Sequence, residues 1–339
     1  PNIEILVGDD STNEDTKNAI KPYLRKYKNI QYFYHDGKIP RGGTSNSLFL
    51  LNHCNGEYIN YLLHDDLFYP EKISKMMNYY VKDLDDRISL ITSARDAIDP
   101  EGRKIARQNP WQPREDTILR GDEVGRILLF TVGNFIGELT TVLVKKRDLL
   151  VKNSKGEKIF AAGNFCGITS RIYGDLDTWY NLLKDGGYMI FIAESLSAFR
   201  HHPDQNTHKP LTKASLPVDA INFVTIAWLN NCFLRNEEEY VYCCNKWLYY
   251  LQLFAANFEE SDTEEIKVLK SAMYKLRDSI ATGKYEIVFN AAVDFLLFFL
   301  PEENPVLKLV KKNEKTDLWE KVNDGIFEYL PQKAKVSEN

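Results

Sequence analysis

Apolar residues gather in short runs at 3–7, 30–34, 58–63 and 89–93, and stretches with helical periodicity at 17–27, 45–55 and 71–83 separate them. Short apolar runs bounded by polar turns read as buried strands, and the periodic stretches read as helices. Strands that alternate with helices predict an α/β class, with a mostly parallel sheet flanked by helices. Such sheets bind ligands along the edge formed by the C-terminal ends of their strands. The stretch 98–202 is less regular: it predicts strands at 139–145 and 188–193, a short helix at 175–183 with an acidic first turn, and long loops around 108–113 and 161–167. Beyond residue 203 the pattern is helical only, at 218–234, 237–258, 263–281, 285–300 and 317–329, with Pro217, Gly283, Pro301 and Pro305 as punctuation. The expected division is an α/β domain over 1–208 and an all-helical region over 209–339.

Length and composition add limits. A chain of 339 residues can bury one large core or two ordinary ones. The formal charge of -5, with no long basic block, argues against a nucleic-acid partner. Five cysteines in no metal-ligand spacing argue against a disulfide framework and favour a reducing compartment. No signal peptide is recognisable, and the most apolar stretch, 287–300, is short for a bilayer and contains Asn290 and Asp294. The expectation is a cytoplasmic protein without a transmembrane segment, either free or peripheral to the membrane. Aromatic-rich helical faces around Trp228, Tyr240 and Trp247 read first as core, with self-association into a homo-oligomer as the alternative for any surplus.

Two acidic pairs carry the candidate chemistry. The run 59–63 leads into His64-Asp65-Asp66 and then a proline-bearing loop, and the run 3–7 leads into Asp9-Asp10-Ser11-Thr12. Asp-Asp pairs at strand ends also start turns or cap helices. With two such pairs on strands of one open sheet, both fall along the ligand-binding edge, where carboxylates and phosphate oxygens together suit Mg2+ or Mn2+.

The ordered set of motifs resembles the inverting nucleotide-sugar glycosyltransferases of family 2, which have the GT-A fold. It comprises Asp9-Asp10-Ser11-Thr12, Arg41-Gly42-Gly43-Thr44-Ser45-Asn46, Asn55-Gly56-Glu57-Tyr58-Ile59 leading to His64-Asp65-Asp66, and Gly174-Asp175 before an aromatic-rich helix, over residues 1–202. The resemblance implies a nucleotide-sugar donor, UDP-linked, a hydroxyl acceptor on a glycan or glycoprotein, and Mn2+ or Mg2+ as cofactor. Asp9 and Asp10 would lie at the donor, Asp10 against uracil or ribose, and Arg41 would reach the base or phosphates. Asp65 would face the sugar or ribose and Asp66 the metal. Asp175 would be the catalytic base, with Asp177 as competitor because Gly174 replaces the usual acidic neighbour. Arg200 and His202, in Arg200-His201-His202, would stand near the diphosphate, His202 at the metal, and Glu138 on the acceptor side.

Members of that family also begin with a strand that has no counterpart here and that lies between the strands starting at Ile3 and Tyr58. A sheet without a central strand exposes unpaired edges, so the expectation is that sequence upstream of Pro1 or another segment fills the gap. Two other classes fit less well. A nucleotidyltransferase would need a Gly-rich basic loop that the chain lacks, and a degenerate GT-A nucleotide- or sugar-binding module would not need to keep Asp66 and Asp175. The decisive expectation is spatial: Asp10, Asp66 and Asp175 should converge on one pyrophosphate pocket.

Overall fold

A computed structural model describes residues 2–108, 113–131, 133–152, 158–160, 165–166, 174–203, 205, 210–255 and 264–299. Strand β1 (Ile5–Asp9) is followed by helix α1 (Asp15–Lys26) and pairs in parallel with β2 (Ile30–Tyr34), Ile5 opposite Ile30 and Asp9 opposite Tyr34. Helix α2 (Gly43–His53) packs on β1, and two short strands follow, β3 (Tyr58–Ile59) and β4 (Leu67–Phe68). Helix α3 (Lys72–Tyr80) then leads to β5 (Ile88–Ile98), all of whose residues are buried. After β6 (Lys104–Gln108), β7 (Thr117–Arg120), α4 (Gly121–Thr131), β8 (Val144–Lys145) and the hairpin β9 (Leu150–Lys152) and β10 (Lys158–Phe160), helix α5 (Gly174–Leu183) delivers the chain to β11 (Tyr188–Arg200).

The largest sheet has the order β4-β11-β5-β6, with β7 also paired to β11. Its central ladder, β5 with β11, is parallel, and its outer strands are antiparallel. Antiparallel partners are thus more numerous than strand–helix alternation predicts: β6 returns on β5 over a short connection, and β4 and β7 pair with β11 from far along the chain. Alternation along β11 splits its side chains between two cores: Met189 and Phe191 enter the large one under the helices, and Ile190 and Ile192 enter a small one with Met76 and Tyr80 of α3.

Two predicted strands are shortened for local reasons. The run 58–63 pairs only at Tyr58 and Ile59 with β8, since the Asn60 amide donates instead to the Leu139 and Thr140 carbonyls. The run 139–145 opens with a 3-10 turn, Leu139–Thr141, because the Thr141 backbone N–H and hydroxyl both donate to the Glu138 carbonyl. Only Leu143 then reaches β5, opposite Ile91.

The C-terminal helices are α6 (Pro210–Leu229), α7 (Glu237–Ala255), α8 (Glu264–Ile280) and α9 (Tyr285–Phe299). Pro217 lies inside α6 rather than before it, and the helix stops short of the predicted residue 234, where Asn231 and Phe233 adopt left-handed φ of 52° and 67°. The predicted helix 317–329 and most of the two predicted loops lie outside the described residues. Near-continuous burial from Val218 to Leu229 makes α6 the axis of this layer. Its Phe223, with Phe233, packs on Tyr180 of α5, so one apolar cluster runs from β5 into the C-terminal helices without a break at residue 208. Arg126 of α4 pairs with Glu239 of α7, and the Trp247 indole N–H donates to the Leu129 carbonyl at 3.1 Å. No helix among the described residues is long and apolar enough to cross a membrane.

Candidate active site

Asp65 and Asp66 sit in a turn closed by the Asp66 N–H on the Leu63 carbonyl, 3.2 Å. Immediately afterwards β4 pairs antiparallel with β11, Leu67 opposite Ala198, which brings Asp66 beside Arg200. One Asp66 carboxylate oxygen accepts the Arg200 backbone N–H at 3.2 Å and the other accepts the Thr140 hydroxyl at 2.6 Å. Burial pushes the Asp66 carboxyl above its ordinary range, and these two donors oppose the rise. Asp65 faces His202, Oδ2 to Nε2 at 3.2 Å, with both side chains partly exposed.

Arg200 spends its guanidinium on backbone. Its Nε donates to the Asp65 carbonyl at 2.8 Å, and Nη1 donates to the Asp99 and Pro100 carbonyls at 3.0 and 2.8 Å. The residue expected near the diphosphate is therefore the clamp that fastens the Asp65–Asp66 turn to the end of β5.

Asp175 occupies the first turn of α5, where negative charge suits the helix dipole. Its Oδ2 accepts the Asn134 amide at 2.7 Å and its Oδ1 accepts the Leu176 N–H at 2.9 Å. Burial raises its pKa; the Leu176 N–H, Asn134 and the positive charge of Arg95 act against that rise. Asp177 lies two residues further along α5. It is fully buried, and two positions along a helix turn it by roughly 200°, toward the side where its charge acts on the buried Cys166 thiol.

Between the two carboxylates stands a buried ion pair, Arg95 Nε to Glu138 Oε2 at 3.0 Å. Burial pushes Glu138 up to about 7, Arg95 draws it down, and the negative charges of Asp66 and Asp175 both add to the rise. Asp66, Glu138 and Asp175 thus share one electrostatic neighbourhood around one guanidinium. Glu138, expected on the acceptor side, is the member of this cluster that touches Arg95.

The first acidic pair belongs to another part of the sheet edge. Asp9 is 3 % exposed and turned inward, where it accepts the Tyr32 hydroxyl at 2.6 Å and the Ser11 N–H at 3.0 Å. Burial would raise its pKa, but these donors win and hold it below the ordinary value. Asp10 points the other way and accepts the Gly42 N–H at 2.8 Å, tying the end of β1 to the loop that carries the exposed Arg41. No hydrogen bond or ion pair among the described residues joins Asp10 to Asp66 or Asp175. Among the described residues β1 pairs only with β2, and α2, which packs on β1 and accepts the Tyr61 hydroxyl at the Ser47 carbonyl, links it to the segment before Asp65.

The donor set near Asp66 is two adjacent carboxylates and an imidazole. Hard divalent cations are commonly held by one or two carboxylates plus substrate phosphates, and Asp66 with Asp65 and His202 fits that mode. It does not make a cation cage by itself: no group of three or more His, Cys, Asp or Glu side chains among the described residues is arranged to hold a metal ion.

Residues 1–143 match the family model for glycosyl transferase family 2. The N-terminal α/β part of this chain is thus similar to glycosyl transferase family 2. Its mixed sheet flanked by helices agrees with the GT-A fold. Similar curated proteins are uncharacterized glycosyltransferases of Rickettsia felis, 33% identical over 211 residues, and Rickettsia typhi, 32% identical over 213. These alignments cover 61% and 62% of this chain, but 31% of the first relative and 59% of the second. A third, from Rickettsia bellii, is 28% identical over 211 residues, 61% of this chain and 27% of the relative. The chain therefore spans about a quarter to three-fifths of these relatives' length.

Arg95 and Thr140 escaped the sequence reading, and Asn134 entered it only as part of the stretch 133–138 that leads to Glu138 on the acceptor side. The signal available for Arg95 was a charge within a run otherwise suited to a buried strand. Asn134 and Thr140 carried none, since their partners lie 41 and 74 residues away along the chain.

Proposed function

We infer that the chain transfers a sugar from a nucleotide-diphosphate donor, of the UDP class, to a hydroxyl of a glycan or glycosylated protein, with inversion at the anomeric carbon. The observation that carries this reading is that one short segment holds both Asp66, through Thr140, and Asp175, through Asn134, and carries Glu138 of the Arg95–Glu138 pair, within a chain whose first 143 residues match the family.

Asp175 is the base. Asn134 and the Leu176 N–H fix its plane, and each carboxylate oxygen keeps a further lone pair for the acceptor hydroxyl. A carboxylate whose burial raises its pKa holds a proton better, which favours transfer in the transition state. The acceptor oxygen bonds to the anomeric carbon as the bond from that carbon to the diphosphate oxygen breaks. The electron pair leaves with the diphosphate, and the hydroxyl proton passes to Asp175. Asp66, with Asp65 and His202, would hold Mn2+ or Mg2+, which when bound neutralises the leaving diphosphate as a Lewis acid. Asp10 binds uracil or ribose from its place beside Gly42.

Release of nucleoside diphosphate from a panel of nucleotide sugars, with Mn2+ and with a chelator, tests this. Turnover should need the cation, and Asp175→Asn and Asp66→Ala should each lower kcat by about 100-fold or more. Full turnover in both variants would reject the assignment.

A further inference from the structure

Asn134 and Thr140 lie on one short segment, and each holds a different carboxylate of the centre: Asn134 Nδ2 donates to Asp175 at 2.7 Å and Thr140 Oγ1 donates to Asp66 at 2.6 Å. The segment between them is anchored on both sides. Asn134 closes it by accepting the Gly137 N–H at 3.0 Å, and the Gly137 carbonyl accepts the Trp179 indole N–H of α5 at 2.8 Å. From β5, the Thr92 hydroxyl donates to the Ile136 carbonyl at 2.7 Å, and Arg95 meets Glu138. Gly137 has a φ of +107°, and a Cβ there would lie 2.5 Å from the Thr141 hydroxyl and 2.7 Å from Arg95 Nη1, so the chain passes close against both.

The ion pair is the least replaceable of these anchors. Arg95 and Glu138 are at contact distance without hydrogen-bond geometry, and among the described residues Arg95 Nε and Nη1 and Glu138 Oε1 have no hydrogen-bond partner. Charge attraction in a poorly solvated site holds them, and removing one partner would leave the other buried and uncompensated.

The geometry points to residues 134–141 as a strap that sets the spacing of Asp66 and Asp175, with Arg95 as the positioning residue that fastens its middle to β5. The catalytic consequence rests on the sugar-transfer reading, whereas the mechanical coupling does not. A loosened strap releases both carboxylates together, although Arg95 hydrogen-bonds to neither. Misplacement on the order of 1 Å at a reacting group costs about 100-fold in rate.

Amide hydrogen exchange and steady-state kinetics on the full chain test the strap. The reporters are the Leu63 N–H, which donates to Thr140 Oγ1 at 3.2 Å, and the Leu176 N–H, which donates to Asp175. In Arg95→Met both should exchange faster together, by about tenfold, with most of the protection restored in Arg95→Lys. Thr140→Val keeps the side-chain shape and serves if Arg95→Met does not fold; it should speed exchange at Leu176, at the far end of the strap. In kinetics, Arg95→Met should lower kcat by about 10- to 100-fold while the donor KM stays within about threefold. An unchanged Leu176 amide in the variant that folds, or a raised KM with unaltered kcat, would overturn the proposal. Should the parent transfer no sugar at all, the functional reading falls, and the exchange data still decide the strap.

Discussion

Lys72 is fully buried, with its ammonium donating to the Thr141 carbonyl at 2.9 Å and lying 5.3 Å from the Phe68 ring centroid. Burial pushes its pKa down to about 7, and the charge of Glu138 opposes the fall. In the unfolded chain the same lysine titrates near about 10.4, so the native state binds fewer protons between those values and stability rises with pH across that window. Urea unfolding of the parent and Lys72→Met at pH 7 and pH 9.5 should show the parent gaining on the variant by about 1–3 kcal/mol at the higher pH. A constant difference would contradict the burial argument. Glu138 runs the opposite way. Its raised pKa gives a contribution that is complete below about 4.3 and is lost as pH rises through about 7. Neither residue's state was legible in the sequence. Burial decides both, and it comes from contacts distant along the chain, such as Lys72 with Thr141.

Among the elements, β1 and α2 show how the sheet edge that carries Asp10 is held. Asn46 of α2 donates to the Gly8 carbonyl at 2.9 Å, and its Oδ1 lies 2.9 Å from His35 Nε2, so one amide ties a helix to the ends of β1 and β2. A Cβ on Gly8 would stand 2.0 Å from Asn46 Oδ1. Gly8→Ala must displace that amide, and is expected to cost about 1–3 kcal/mol in denaturant unfolding, the usual cost of overpacking. Because Asp10 and Gly42 lie just beyond the clamp, the same variant should raise the donor KM more than it lowers kcat. An unchanged Tm and KM would mean that the clamp does not position this end. The sequence made the elements here legible, since the run 3–7 and the periodic stretch 45–55 both formed close to where they were expected. It misjudged 139–145, where an apolar run indistinguishable from a strand is bent by Thr141 bonding back to Glu138. That bend builds the strap on which the candidate site depends.

Over the whole molecule, alternation of strands and helices gave the α/β class correctly, and the change to helices near residue 210 is real. The large apolar core nevertheless continues across that change, through Tyr180, Phe223 and Phe233, and the helical layer supports the floor beneath α5. Local periodicity shows which face of a helix is apolar but not which neighbour will cover it. The candidate site was legible where it rests on strand ends and helix starts, at Asp66 and Asp175. It was illegible where it rests on long-range pairing, at Arg95, Asn134 and Thr140. Asp66 and Asp175 are expected to serve one cation-bridged diphosphate centre. Crystals grown with UDP and Mn2+ test it most directly, because manganese is located by its anomalous scattering. The account predicts a metal at about 2.1 Å from an Asp66 carboxylate oxygen, shared with the diphosphate, with the open side of Asp175 facing the same cavity. Manganese and diphosphate bound at another surface, away from both carboxylates, would contradict it.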